Sequence, residues 1–257
     1  MSQTAHGLHP HETLQRAEGT RGMLTGQGVA IAGAGRGLGR AAALALGAAG
    51  AHVVAASRTR SEVQEVAAAI ERAGGQATAV AADAADEAGA ARIVETALAV
   101  AGRLDLLLVC AGAALIKPLP EVTLAEWEHV LAMNARAVFL TNRAALRPML
   151  AAGTGLIVNV ASRVALTGAP DVAVYAAAKA AVIGFSRALA QEVRPRGIRV
   201  VCLAPGPMDT PMRWAATPAF DPARLLAPED VVDLVLYLAR RPTVVLDDPV
   251  VPVSVRL

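Results

Sequence analysis

From Gly28 onward, short apolar runs rich in β-branched residues alternate with longer Ala/Leu-rich stretches whose polar positions recur at helical spacing. The runs at 28–33, 52–57, 77–82, 104–110, 155–161 and 197–203 read as strands. The stretches near 37–49, 60–73, 86–102, 122–150 and 173–193 read as helices. LDLLLVC and GLIVNVA carry no polar alternation, as expected of strands covered on both faces. Repeated β–α alternation predicts a parallel sheet with right-handed crossovers, that is, a Rossmann-type doubly wound α/β fold in a single domain. Thr123 with Glu126 forms a capping-box pattern at the start of the fourth helical stretch. Pro228, Glu229 and Asp230 open a further helix that ends with Arg240 and Arg241 before Pro242, a charge order that suits the helix dipole. Val250–Val255 can add a strand, but Pro249 and Pro252 restrict it to an edge.

Composition narrows the picture. Hydrophobic residues make up 54% of the chain and aromatics only 3%, so the core must be built from Ala, Val and Leu. The net charge of +2 is spread without a basic cluster, which argues against a nucleic-acid partner. The longest apolar stretch, Leu106 to Ile116, falls short of the roughly 20 residues that cross a bilayer, and no membrane association is expected. Cys110 and Cys202 sit in apolar runs and read as buried thiols, which is consistent with a cytoplasmic location. Residues 1–22 are polar and read as a disordered extension, leaving 23–257 as the folded domain. His6, His9 and His11 lie in that extension, and no metal site is expected.

The first strand runs into Gly33, Ala34, Gly35, Arg36, Gly37, Leu38 and Gly39, and a helix follows directly. Glycine allows positive φ and close approach of backbone to a pyrophosphate, and the helix start offers free N–H groups. The spacing is G-x-x-x-G-x-G, with Leu38 where G-x-G-x-x-G would require glycine. The second strand ends at Ser57 and Arg58, where an NAD enzyme places an acid. Arg58, with Arg36 from the glycine loop, can hold a 2′-phosphate, and Ser57 can add a neutral hydrogen bond. Solvated arginines are the other reading. Asp83, next to Ala84 past the third strand, is placed either to meet adenine or to close a surface turn.

The fifth strand leads to Ser162. Thirteen residues later comes Tyr175, and Lys179 follows one helical turn on, on the same face. A free tyrosine titrates near ~10. A lysine cation beside it favours the phenolate and lowers that value.

With these motifs the chain resembles the short-chain dehydrogenase/reductase family over about residues 23–241. The elements carrying the resemblance are GAGRGLG, the Ser162–Tyr175–Lys179 set, Asn134 in MNARAVFL, and Pro205-Gly206-Pro207-Met208-Asp209-Thr210. The resemblance implies that NADP(H) exchanges a hydride with a carbonyl or alcohol carbon of a small organic substrate, with Tyr175 as acid or base. Lys179 would tune Tyr175 and hold the nicotinamide ribose, Ser162 would polarise the carbonyl, and Asn134 would anchor a water in a relay with Lys179. Ala111 and Gly112 would line the cofactor, Asp83 and Ala84 would meet adenine, and Pro205, Gly206 and Thr210 would shape the nicotinamide pocket. It also implies a homodimer or homotetramer built on the helices at 122–150 and 173–193.

Three departures stand out. The Thr and Asn of the family's first and fourth strand ends are Ala32 and Val109-Cys110, which reads as a repacked junction because both polar partners are lost together. The segment between Thr210 and Pro228 is short and shows no helical period. Its Met212, Trp214 and Phe220 could line a substrate pocket or form a small satellite core. The C-terminus lacks the frequent glycine-rich ending. A binding or scaffold protein of the same fold, and a non-redox isomerase or lyase using Tyr175, are the alternatives. The combined presence of Asn134, Ser162, Tyr175 and Lys179 favours the oxidoreductase.

Overall fold

A computed structural model of the protein describes residues 22–255. The polar extension with His6, His9 and His11, through residue 21, and Arg256 and Leu257 lie outside the described residues. Strands β1 (Gly28–Ala32), β2 (His52–Ser57), β3 (Gln76–Ala81), β4 (Leu106–Val109), β5 (Gly155–Val160), β6 (Ile198–Pro205) and β7 (Val250–Val253) alternate with helices. The helices are α1 (Gly37–Ala48), α2 (Arg60–Arg72), α3 (Glu87–Ala101), α4 (Leu124–Leu131), α5 (Ala137–Ala152), α6 (Val164–Thr167), α7 (Ala173–Val193), α8 (Pro211–Ala216) and α9 (Pro228–Arg240). The seven strands form one sheet in the order β3-β2-β1-β4-β5-β6-β7, and every pairing is parallel. This is the doubly wound fold predicted from the alternation. Its switch point lies between β1 and β4, where successive crossovers leave in opposite directions and a crevice opens beyond the strand ends.

Side-chain alternation along each strand feeds two apolar layers. Ala30, Ala32, Val54, Leu107 and Val109 pack toward α3, α5 and α7. Val29, Ile31, Val53, Leu106 and Leu108 pack toward α1, α2 and α9. The small residues let helices sit close to the sheet: a Cβ on Gly47 would fall 2.6 Å from the Ile70 side chain, so α1 and α2 touch there. Pro252 pairs opposite Ala204 on the outermost strand, a position that tolerates its missing N–H. The Thr123–Glu126 capping box is present: the Glu126 backbone N–H donates to Thr123 Oγ1 at 3.2 Å, and the Thr123 N–H donates to the Glu126 carboxylate at 2.8 Å.

Four expectations are corrected. The stretch 122–150 is not one regular helix. It contains a π-helical turn at Ala132–Arg136, a local defect that apolar periodicity does not reveal. The segment after Thr210 does contain a helix, α8. Pro211 occupies its first turn and Thr210 caps it, so a proline that reads as a breaker is here a start signal. Cys110 is only half buried, because it stands just past β4 rather than inside it. Finally, Ala173–Arg196 is a helix long and apolar enough to cross a membrane. Its buried residues, Val182, Ile183 and Leu189, belong to the core against the sheet, so a core helix accounts for the composition.

Candidate active site

The cleft beyond the strand ends has a volume of about 570 Å³. Every residue singled out for cofactor or catalysis lines it, from Gly33 and Arg58 at one end to Tyr175 and Thr210 at the other. Its floor is a set of short loops. Gly33 turns at φ +90°, and a Cβ there would fall 2.6 Å from the Ala111 backbone nitrogen. Only glycine therefore lets the β1 and β4 ends converge. Gly37 opens α1 at φ +54°, and no side chain caps that helix start. Its first-turn N–H groups thus suit an anion. Together the turn and the bare helix start fit a dinucleotide pyrophosphate.

The altered strand junction is closed by backbone alone. Gly33 and Ala34 donate to the Ala56 carbonyl at 2.8 and 2.9 Å, and Cys110 and Ala111 donate to the Ala32 carbonyl at 2.8 and 2.9 Å. Ala32 and Val109 are fully buried and apolar. No polar group is stranded there, so the double replacement leaves the junction without an unsatisfied partner. Cys110 is partly exposed as a residue, but desolvation of its thiol pushes it up to about 12, so it stays protonated.

At the adenosine end, Arg58 and Arg36 are exposed. Arg58 Nη1 reaches Met133 Sδ at 3.6 Å. Asp83 lines the cleft and accepts from the Ala85 N–H at 2.9 Å, which closes the local turn. The sequence reading missed Glu62. A Cβ on Gly35 would collide with its carboxylate and lie 3.1 Å from Ser57 Oγ. Glu62 therefore sets an acid against the glycine loop from the first turn of α2. Its position four residues past Arg58, near a helix start, was the available signal.

At the other end, Ser162 leaves β5 and Tyr175 projects from α7. Burial raises the Tyr175 pKa, while Ser162 beside its hydroxyl and the Arg213 charge pull it down. The Lys179 ammonium stands 5.9 Å from the centre of the Tyr175 ring and donates to the Val160 carbonyl at 2.8 Å. Burial brings the Lys179 pKa down to about 8. Asn134 sits in the π-helical turn and donates to the carbonyls of Ala113 and Val130 at 2.9 and 2.8 Å. Among the described residues, its Oδ1 is the one buried side-chain polar atom without a partner. A Cβ on Gly112 would fall 2.6 Å from that oxygen and 3.3 Å from Lys179 Nζ. The two polar groups thus both face the Gly112 backbone, and a side chain there would come between them and the cleft.

A second feature missed in the sequence holds this end together. Asn142 and Asn159 exchange amide hydrogen bonds at 2.9 and 3.0 Å, and Asn159 also donates to Ser186 Oγ at 3.0 Å. All three residues are fully buried. They tie α5, β5 and α7 together, fixing the strand that leads to Ser162 against the helix that carries Tyr175. Asn159 interrupting the apolar run GLIVNVA was the visible signal. In the 207–227 segment, Met212 and Phe220 line the cleft, while Trp214 Nε1 donates to Asp209 at 2.7 Å on the outside.

The titrations carry a testable sign. Lys179 falls from 10.5 to about 8 on folding. Between those values the unfolded chain holds the extra proton, so stability rises with pH above about 8. Tyr175 and Cys110 are acids whose folded values are raised from 10.0 and 9.0. They reverse the trend above about pH 9, where the unfolded chain ionises first. Thermal unfolding should therefore show a higher Tm at pH 8.8 than at pH 7.5, and Lys179→Met should flatten that rise. A rise equally steep in the mutant would assign it to another group.

The family model for short chain dehydrogenases matches residues 27–220. The chain belongs to the short chain dehydrogenase family. Among curated short chain dehydrogenases, it is 40% identical to the cyclopentanol dehydrogenase of Comamonas testosteroni over 157 residues, covering 61% of this chain and 63% of that enzyme. It is 39% identical to the cis-4-hydroxycyclohexanecarboxylate dehydrogenase of Sinomonas cyclohexanicum over 185 residues, covering 68% and 74%. The match thus spans less than two thirds of the first enzyme's length. Among solved structures, 3-ketoacyl-(acyl-carrier-protein) reductase from Brucella melitensis, complexed with NADH, superposes with a TM-score of 0.81 at 30% identity, covering 90% of this chain and 97% of that one. Levodione reductase gives 0.82 at 29% identity, with the same coverage.

Proposed function

We propose that this short chain dehydrogenase interconverts a ketone or aldehyde and the corresponding alcohol on a small organic substrate, using NADP(H). The observation that carries this reading is the convergence of Ser162, Tyr175, Lys179 and Asn134 on one cleft floored by the glycine loop. When bound, the nicotinamide supplies or accepts the hydride. Tyr175 gives its hydroxyl proton to the substrate oxygen in reduction and takes it back in oxidation. Ser162 hydrogen-bonds the same oxygen and holds it beside Tyr175. Lys179 and Asn134 border the space through which a water can return the proton. The relatives named for cyclopentanol and for a hydroxycyclohexanecarboxylate support an alicyclic alcohol or ketone as substrate. Following NADPH absorbance against a panel of cyclic and linear ketones tests the proposal. No ketone-dependent oxidation, in the presence of cofactor binding, would favour a non-redox or scaffold role.

Glu62 favours a second reading in which NAD(H) is used, since a carboxylate can accept from the ribose hydroxyls that NADP(H) lacks at one position. Arg58 and Arg36 at the same rim support NADP(H). A cytoplasmic location and a homodimer or homotetramer complete the proposal. Ala177, Ala180, Ala181 and Gly184 form an exposed small-residue face on α7, and Phe139 on α5 is exposed beside it while stacking edge-on with Phe185 at 6.4 Å. Sedimentation should show a dimer or tetramer, and Ala181→Glu should shift it toward monomer; a monomeric wild type would reject the assembly.

A further inference from the structure

The substrate end of the cleft holds a cation that the hydride chemistry does not use. Arg213 projects from the last turn of α8 and lines the cleft with Tyr175, Val172, Met212 and Phe220. Its guanidinium lies 4.9 Å over the Phe220 ring, and Nη1 donates to Thr217 Oγ1 at 2.9 Å. Two contacts from one loop therefore hold a half-buried arginine in place before any ligand arrives. No carboxylate among the described residues forms an ion pair with it. Trp214, not Arg213, takes the nearby Asp209. The carboxylates that line the cleft are Glu62 and Asp83, and both stand at the adenosine end, beside Gly35 and past β3. Arg163, next to Ser162, adds a second, more exposed cation at the substrate end.

We infer that this chain is built for a substrate that carries an anionic carboxylate in addition to its ketone or alcohol, with Arg213 receiving the carboxylate. The inference rests on the oxidoreductase reading of the same cleft. A planar guanidinium flanked by apolar side chains matches a carboxylate on a small apolar body, and a preorganised fork loses little freedom on binding. Arg213 and Tyr175 line the same cleft, and the Arg213 charge helps to lower the Tyr175 pKa. In the reduction, the ketone carbon takes hydride from the reduced nicotinamide and its oxygen takes the Tyr175 proton. The carboxylate is unchanged and serves to orient the molecule. A neutral ketone fills the same space without that anchor.

The test compares binding of cyclohexanecarboxylate with cyclohexanecarboxamide by NMR titration of the full chain in the presence of NADP⁺. The wild type should bind the carboxylate about tenfold more tightly, the lower range for a charge-assisted contact at a half-exposed site. Arg213→Gln should abolish the difference, and Arg213→Lys should keep part of it. Equal affinities in the wild type, or a preference unchanged in Arg213→Gln, would overturn the inference. A preference that survives Arg213→Gln and vanishes in Arg163→Gln would also overturn the assignment. Wild-type kinetics decide the point without any variant: kcat/KM for 4-oxocyclohexanecarboxylate should exceed that for its methyl ester by about tenfold, and equal values would reject the inference. Absence of turnover with every ketone would instead remove the oxidoreductase reading, and the binding comparison would still decide the role of Arg213.

Discussion

Replacing Tyr175 by Phe should lower turnover by about 10²–10⁴, the usual worth of a positioned acid or base, while cofactor affinity changes little. The substitution deletes one hydroxyl and keeps the ring, so the packing over Lys179 and the apolar contacts of α7 persist. What disappears is the hydroxyl beside Ser162 that serves as proton donor in the proposed reaction. Burial raises the Tyr175 pKa, so at neutral pH the group is protonated and ready to act as an acid. The alcohol-oxidising direction, which needs the phenolate, should therefore gain rate as pH rises. Single-turnover rates of wild type and mutant with the best ketone, together with cofactor dissociation constants, check this. A mutant that turns over at nearly the wild-type rate would remove Tyr175 from the mechanism.

The second large effect concerns cofactor choice. Arg58→Ala should weaken NADPH about ten- to a hundredfold and leave NADH almost untouched. One hydrogen bond to a charged group contributes roughly 1.5–3 kcal/mol, and each ~1.4 kcal/mol is a factor of ten. Arg58 is exposed, which places the effect toward the lower figure and makes it shrink as salt rises. Glu62 works in the opposite direction. Its carboxylate lies against Gly35, and in the proposed cofactor pose it would repel a 2′-phosphate and accept from a free ribose hydroxyl. Glu62→Gln should therefore tighten NADPH and weaken NADH. Dissociation constants of both cofactors for the wild type and the two variants settle the balance. Equal wild-type affinities would mean that the two charges cancel, and preference for NADH would mean that the acid wins.

Much of this was legible in the residues themselves. The alternation of two periodicities dictates a parallel sheet, because strands with no polar face need helices on both sides. The glycines at 33, 37 and 39 follow from backbone geometry that other residues resist. The spacing from Tyr175 to Lys179 puts both on one face of a helix that was predicted to the residue. Local signals also worked where they are self-contained, as in the Thr123–Glu126 box.

Tertiary structure decided what depends on residues distant in sequence. The surroundings of Tyr175 are one case: spacing along a helix places Lys179 beside it, but burial, which raises its pKa, and Ser162 and Arg213, which lower it, are supplied by the tertiary fold, the last two from a strand end and a distant loop. Asn134 in the π-helical turn is another, since one of the two carbonyls that receive its amide lies on the loop after β4. The Asn142–Asn159–Ser186 cluster joins three elements that no local window contains. The glycine loop and the Tyr–Lys helix were written in the chain because each satisfies its own backbone. Glu62 and Arg213 acquire meaning only when folding sets one against a turn that precedes it by a whole βα unit and the other against a helix that precedes it by a strand. Electrostatic environment is a property of space rather than of sequence order.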